Sequence, residues 1–284
     1  MKTKSPKYWK QYKLLDFGNG VKIEQFNSFV TIRPETNAVN NLSKKLSFWQ
    51  QKADYIYDSK TVDGGKWNIE NTPEWYINYK LDKIEAKFKL QLSNSKHIGI
   101  FPEQAVNWEF VANKIKSGIK VLNLFAYTGA ISVVSAIAGG KVTHIDSSKT
   151  AIKQAKENAE INHISNIRFI IDDAFLFAKK EEKRANKYDI IILDPPTYGF
   201  GAKRKNWKIN KDLEPLLQVC KNILNRGGVI ILNTYTPKFS FKQIIPILEK
   251  TFTKKSNIEF GSLALKDSFE KELKLSDFYL IQIS

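Results

Sequence analysis

Two hydrophobic rhythms divide the sequence. In the first, apolar residues alternate with polar ones over short runs. Ile84–Leu92 alternates strictly and predicts a half-buried strand. Tyr12–Phe17 and Val21–Phe26 flank Gly18-Asn19-Gly20, which supplies the positive φ of a hairpin turn. Phe29–Arg33 predicts a strand stopped by Pro34; Lys66–Ile69 and Trp75–Tyr79 predict two more, with Asp63-Gly64-Gly65 as a turn. The tryptophans and tyrosines of this stretch are expected to pack inside it.

The second rhythm begins after Gly118. Lys120–Phe125, Val142–Ile145, Ile167–Ile171, Tyr188–Leu193 and Val229–Asn233 are short, nearly continuous apolar runs. Between them lie helical patterns: Thr128–Ala138, Lys149–Asn162 capped by Ser148, a short helix from Ala174, and Asp212–Leu224 closed by Asn225-Arg226-Gly227-Gly228. Strands apolar on both faces, alternating with helices, predict an α/β fold whose mostly parallel, doubly wound sheet is covered on both sides. The expected division is a smaller β-rich domain over 1–117, a candidate substrate-binding domain, and the α/β domain over 118–284.

Composition narrows the class. The 284 residues are 42% hydrophobic and 26% charged, which is globular rather than disordered. No apolar run reaches the ~20 residues of a membrane helix, and the basic start lacks the apolar stretch of a secretory signal. With a single cysteine, Cys220, a cytoplasmic setting is expected. His97, His144 and His163 are scattered, so no metal site is expected. The formal charge is +16, with +7 over residues 1–118 and +9 over 119–284. A polyanion such as nucleic acid suits this surplus, and so does a surface that simply uses lysine as its default polar residue.

In doubly wound sheets ligands bind beyond the carboxyl ends of the strands. The first strand ends in Asn123-Leu-Phe125-Ala-Tyr127-Thr128-Gly129, small enough near the glycine for a ligand to approach the main chain. The second ends at Asp146, where a carboxylate can accept both hydroxyls of a ribose. The third ends at Asp172-Asp173-Ala174, an acceptor for an exocyclic amine or equally a helix cap. The fourth ends at Asp194-Pro195-Pro196-Thr197-Tyr198-Gly199. Two prolines there fix φ, remove two donors and leave carbonyl acceptors beside an acid.

The order and spacing of Gly129, Asp146, Asp173 and Asp194 resemble those of class I S-adenosylmethionine-dependent methyltransferases, with their Rossmann-like sheet. Gly99-Ile-Phe101-Pro-Glu-Gln104, Val121–Gly129 and Asp194–Gly199 together resemble the bacterial large-subunit rRNA cytosine-5 methyltransferase family, without a clear counterpart of its PUA domain. The resemblance implies S-adenosylmethionine as cofactor. Phe101 and Gln104 would close over it, and Asn123, Phe125, Tyr127, Thr128 and Gly129 would line its methionine part. Asp146 with Ser148 would bind the ribose, and Asp173 with Ala174 the adenine. Asp194, Pro195, Pro196 and Tyr198 would form the catalytic face toward sulfonium and acceptor.

Cytosine-5 chemistry needs a cysteine nucleophile. The fifth strand exits through Leu232-Asn233-Thr234-Tyr235 without one, and Cys220 lies on the apolar stripe Leu213, Leu216, Leu217, Leu224 of a helix. Nitrogen or oxygen is therefore the expected acceptor. The loop with Lys203, Arg204, Lys205, Trp207 and Lys208 suits phosphate contacts and base stacking, or a solvated loop anchored by Trp207. RNA, ribosomal RNA first, is the expected substrate and partner. A small-molecule or protein methyltransferase, an NAD(P)-dependent oxidoreductase and a non-catalytic RNA-binding module are the alternatives; the oxidoreductase lacks its three-glycine fingerprint here.

Overall fold

The structure, a computed structural model, describes every residue except 1, 8, 60–64, 70–73, 83, 94, 201–205, 237–238, 253–255 and 284, together with the side chain of Phe200. The chain forms two compact units. One comprises Asn107–Ser262 and Ser276–Ser284 with the first three residues; the other comprises Lys4–Val106 and Leu263–Leu275.

In chain order, the first elements are β1 (Lys2–Lys4), β2 (Tyr12–Gly18), β3 (Val21–Phe26), β4 (Phe29–Pro34), α1 (Leu46–Gln50), β5 (Tyr55–Asp58), β6 (Lys66–Trp67), β7 (Trp75–Leu81) and β8 (Ile84–Leu90). Strands β2 to β6 make a five-stranded sheet in sequential order, and β7 with β8 a separate antiparallel hairpin. The β2–β3 hairpin turns through Asn19 and Gly20, both at positive φ. The strict alternation of the 84–92 run appears in β8, where Ala86, Phe88 and Leu90 are buried and Glu85 and Lys87 exposed.

Glu24 and Asp16 are two of the buried carboxylates of this unit. Glu24 accepts from Arg33 Nε at 2.9 Å and from the Tyr12 hydroxyl at 3.0 Å, with Lys22 Nζ 3.4 Å away. Asp16 accepts from the main-chain N–H groups of Ser43 and Lys44, from Trp49 Nε1 and from Lys271 Nζ. Lys271 lies in the Leu263–Leu275 segment, so a late stretch of sequence completes the early fold.

The second set of elements is α2 (Ala105–Lys114), β9 (Lys120–Leu124), α3 (Ala130–Ile137), β10 (Lys141–Asp146), α4 (Lys149–Glu160), β11 (Ile167–Ile171), α5 (Ala174–Lys183), β12 (Tyr188–Leu193), β13 (Tyr198–Phe200), β14 (Asn206–Lys208), α6 (Ile209–Asn222), β15 (Leu224–Thr234), α7 (Phe241–Thr251), β16 (Asn257–Lys266) and β17 (Glu272–Gln282). The large sheet has the order β1-β16-β17-β15-β12-β9-β10-β11. The stretch from β15 to β11 is parallel, and β17 runs antiparallel to β15. The expected Rossmann-like, mostly parallel sheet and the separate β-rich sheet are both present.

The chain runs outward from β9 to β11, then returns to the other side of β9 as β12. The order therefore reverses between β9 and β12, the place where such sheets open a crevice at their carboxyl ends. Leu122, Leu124, Ile145, Ile191 and Leu193 are buried in the core with Leu213, Leu216, Leu217 and Cys220 of α6.

Three sequence expectations change in detail. Helix α6 begins at Ile209, three residues early, because Asp212 Oδ2 accepts the Lys208 N–H at 2.7 Å and Pro215 falls in its second turn. Asn225–Gly228 does not end a helix but is a bulge within β15: Leu224 and Val229 face Tyr188 and Ile190, and Gly227 at φ 76° takes up the extra residues. The antiparallel β16 and β17 had no counterpart in the reading of the sequence.

Candidate active site at the carboxyl ends of the parallel strands

Register sets the site. Leu124 of β9 pairs with Ile145 of β10 and with Leu193 of β12. The next residues along, Phe125, Asp146 and Asp194, therefore leave three adjacent strands at one level. Neighbouring strands lie about 4.8 Å apart. Ile171 pairs with Asp146, so Asp172 and Asp173 follow one step further.

The connection after β9 is tightly wound. Phe125, Tyr127 and Gly129 all have positive φ, at 57°, 50° and 82°. Two aromatic residues in the left-handed region are strained, and such strain persists only where the surroundings impose it. Alternation of left- and right-handed residues turns main-chain N–H groups toward one side, a concavity suited to an anionic group. The loop is fixed by Ala126 N–H to Ile145 O at 3.0 Å, by Tyr127 N–H to Asp146 Oδ2 at 2.8 Å and by Asn158 Nδ2 to Thr128 O at 2.9 Å. Helix α3 then starts at Gly129 with no side-chain cap.

Asp146 is half-buried. Its Oδ2 accepts the Tyr127 main-chain N–H and its Oδ1 that of Ser148, both at 2.8 Å. These bonds fix the carboxylate plane, whose two oxygens are the acceptor pair a ribose diol requires. Burial raises its pKa above the usual carboxylate value, against the lowering effect of the N–H groups of Ser148, Tyr127 and Ser147. Ser148 caps α4, accepting from Ala151 N–H at 3.2 Å. Asp173 caps α5 through Oδ1, which accepts from Leu176 N–H at 2.9 Å; Oδ2 takes no hydrogen bond from the described residues. Cap and amine acceptor are thus compatible, one oxygen for each. Ala174 is buried behind it.

Asp194 is half-buried at the end of β12, and Pro195 is buried. Of the two expected carbonyl acceptors, Pro196 O is already taken by Trp207 Nε1 at 2.8 Å. Pro195 O accepts no hydrogen bond from the described residues. Thr197 and Thr236 hydroxyls lie 2.7 Å apart, tying the Pro-Pro turn to the exit of β15. Tyr198 is 72% exposed.

Of the two readings open for Trp207, its seat favours the anchor. It is 7% exposed, its ring lies 5.0 Å from that of Phe125, and its N–H is engaged. A ring so seated suits an anchor for the β13–β14 hairpin better than a stacking face for an incoming base. Lys208 is exposed beside it, and Lys203, Arg204 and Lys205 lie outside the described residues.

Phe101 and Gln104 belong to the other unit. Gln104 is buried there, and the Phe101 ring is 5.2 Å from that of His97. Asn123 is buried, with its amide donating to Ser132 Oγ at 2.9 Å. Cys220 is fully buried, and burial pushes its thiol well above the ordinary range.

Several residues at the site escaped the sequence reading. Asn233 leaves β15 level with Asp194, since Leu232 pairs with Leu193, and its Oδ1 accepts from Asn107 Nδ2 at 3.0 Å. Its position at the fifth strand exit was the available signal. Ser132, His144 and Asn158 pack beneath the loop, and nothing in their spacing marks them.

The site therefore offers a strained, N–H-rich loop, a diol acceptor, an amine acceptor and an acid beside a free carbonyl, all at adjacent strand ends. The chain is 35% identical over 186 residues to the ribosomal RNA large subunit methyltransferase K/L of Shewanella frigidimarina, covering 65% of this chain and 26% of that protein. It is 35% identical over 236 residues to the enzyme of the same name from Pseudoalteromonas atlantica, covering 80% and 33%. It thus spans a quarter to a third of the length of these curated relatives. Among solved structures, the SAM-dependent methyltransferase from Agrobacterium tumefaciens superposes with a TM-score of 0.91 at 32% identity, over 100% of this chain and 94% of that one. The SMU.776 protein, solved with S-adenosylhomocysteine, gives 0.74 at 22% identity over 96% and 75%, a likeness of fold. The family model for S-adenosylmethionine-dependent methyltransferases matches residues 66–261, and the chain belongs to that family.

Proposed function

We propose that this chain transfers a methyl group from S-adenosylmethionine to a nitrogen or oxygen atom of RNA, with large-subunit ribosomal RNA as the first candidate. The observation that carries the choice of atom is Cys220: buried in α6, with a raised thiol pKa, it is unsuited to attack a pyrimidine ring. The names of the two relatives support ribosomal RNA, and the +16 charge suits a polyanion.

The cofactor supplies an already activated methyl group, so the protein contributes positioning and electrostatics. Phe125–Gly129 hold the methionine end, Asp146 accepts from the ribose hydroxyls, and Asp173 Oδ2 accepts from the adenine amine. Asp194 and the Pro195 carbonyl accept N–H or O–H bonds from the acceptor group, directing its lone pair toward the methyl. Tyr198, exposed beside them, offers a face for a base. Lys203, Arg204, Lys205 and Lys208 neutralise phosphates. A cytoplasmic location goes with this reading; among the described residues no helix is long and apolar enough to cross a membrane.

Mass spectrometry of ribosomal RNA nucleosides from cells with and without the protein tests the assignment. A methylated nucleoside other than 5-methylcytosine should disappear with the protein. Loss of 5-methylcytosine instead would overturn the choice of atom, and no change in any nucleoside would overturn the substrate. Replacing Lys203, Arg204 and Lys205 with Ala should weaken RNA binding and flatten its salt dependence, because fewer counterions are released. An unchanged salt slope would remove this loop from the RNA interface.

A further inference from the structure

In the β-rich unit, the segment that follows β4 is tied down along its main chain and open along its side chains. It lies against the β2–β3 turn, where Asn19 N–H donates to Asn40 O at 2.6 Å and Gly20 N–H to Ala38 O at 2.9 Å. Asn19 Oδ1 accepts the Leu42 N–H at 3.0 Å. Asp16 Oδ2 accepts the N–H groups of Ser43 and Lys44 at 2.9 and 3.1 Å, and the Trp49 indole N–H at 2.9 Å. Lys271 Nζ, paired with Asp16 at 3.0 Å, also donates to Asn41 O at 3.3 Å. A β-carbon on Gly18 would come within 2.4 Å of Asn41 C and Leu42 N, so only glycine admits the segment this closely.

What this fixed segment presents is apolar and cationic. Val39 is 82% exposed, Leu46 39% and Phe48 38%. They are three of the seven large hydrophobic side chains exposed among the described residues, so exposed apolar area is concentrated here. Lys44, Lys45 and Lys52 are exposed along the same stretch, and none of them forms an ion pair among the described residues. No acidic residue occurs between Glu35 and Asp54. Lys52 Nζ lies 4.7 Å from the centre of the Phe48 ring, which meets the Trp49 ring edge to face at 5.1 Å. Trp49 is buried with its N–H bound to Asp16, so Phe48 stands on a fixed base.

We infer that residues 39–52 form an RNA-contact surface of the β-rich unit: Lys44, Lys45 and Lys52 meet phosphates, and Phe48 meets an unpaired base. The inference rests on RNA as the substrate. Charge decides between RNA and a protein partner. Three lysines without an interspersed acid complement a polyanion, whereas protein interfaces set charges of both signs against one another. Aromatic rings beside such lysines take a base on their face, since every base has one. A main chain already fixed before binding also loses little conformational freedom on contact.

The test uses the full chain and transcripts of large-subunit ribosomal RNA, with affinity measured over a range of salt. The triple variant Lys44→Gln, Lys45→Gln, Lys52→Gln changes only exposed side chains and should melt with the parent. It should bind the RNA at least tenfold more weakly. Its plot of log affinity against log salt should be shallower by about two, the share of three phosphate contacts at about 0.7–0.9 each. Phe48→Ala should bind at least fivefold more weakly with the parent's slope, because stacking releases no counterions. A control, Lys116→Gln, Lys120→Gln, Lys141→Gln, removes three exposed lysines at the amino ends of β9 and β10 and should lose less than threefold. Parent-like RNA binding in either test variant would overturn the inference and leave Val39, Leu46 and Phe48 to a protein partner. A control as weak as the lysine variant would also overturn it, since net charge alone would then explain the loss. If Phe48→Ala does not fold, the lysine variant and its control decide. A parent that binds no ribosomal RNA overturns the proposed substrate itself, a result separable from the others.

Discussion

Asp146 shows how much a single carboxylate can be prepared by its neighbours. Main-chain N–H groups of Tyr127 and Ser148 help orient it, and burial raises its pKa. Asp146→Ala should weaken cofactor binding by about 2–4 kcal/mol, two hydroxyl bonds to a charged group at about 1–2 each; calorimetry with unchanged affinity would remove the assignment. The hydroxyls bind the ionised form, so cofactor affinity should fall as pH drops through the raised Asp146 pKa. That decline should begin at higher pH than an ordinary aspartate would give, and should be absent from Asp146→Asn. Cys220 is the contrasting case, a reactive group kept inert. Cys220→Ala should leave methyl transfer near the parent rate and cost about 1 kcal/mol of stability for the lost packing. A thiol-dependent covalent complex with a 5-fluorocytosine RNA would contradict both expectations.

At the scale of elements, the hairpin β13–β14 is the clearest example of packing deciding between two chemical readings. An aromatic residue in a basic loop can stack on a base or hold the loop to the core, and the sequence Lys-Asn-Trp-Lys is equally consistent with each. The seat against Phe125 and the bond to Pro196 O favour the anchor for Trp207. Trp207→Ala should therefore lower stability by about 3–5 kcal/mol, as for other buried aromatic truncations. Thermal melting is the measurement: a melting temperature equal to the parent's would return Trp207 to the solvent. Because the same ring touches the first residue of the strained loop, the variant should also weaken cofactor binding.

At the scale of the molecule, both units contain carboxylates whose ionised form the fold favours. Burial opposes the charge of Glu24, yet Arg33 and Lys22 with the Tyr12 hydroxyl hold its pKa below the usual value. Burial likewise opposes Asp16, and is outweighed by Lys271, Ser43, Trp49 and Lys44. Glu181 is lowered against burial by Tyr188, Arg184 and Asn186. A depressed folded-state pKa contributes stability that is present above the unfolded value and lost as pH falls through the folded one. Denaturant titrations should therefore show stability falling below about pH 4, where unfolded carboxylates begin to protonate. Asp16→Asn should flatten that dependence; a slope equal to the parent's would show that Asp16 is not among its sources.

The sequence alone determined the parallel strands, because buried strands must be apolar on both faces and such runs are visible without knowing their neighbours. It also determined which residues stand at the strand ends, since Gly129, Asp146, Asp173 and Asp194 each follow directly from where an apolar run stops. It could not determine what stands beside them. The reversal of strand order at β9 and β12, which sets Phe125 next to Trp207, is a matter of pairing between distant segments. So is the dependence of the early unit on Lys271, 255 residues after Asp16. The bulge at Gly227 resembled a helix stop because glycine serves both uses, and only the partner strand distinguishes them. The chain Asn123–Ser132–His144 was illegible for the same reason: each residue is unremarkable at its own position, and tertiary packing alone brings the three within hydrogen-bond reach.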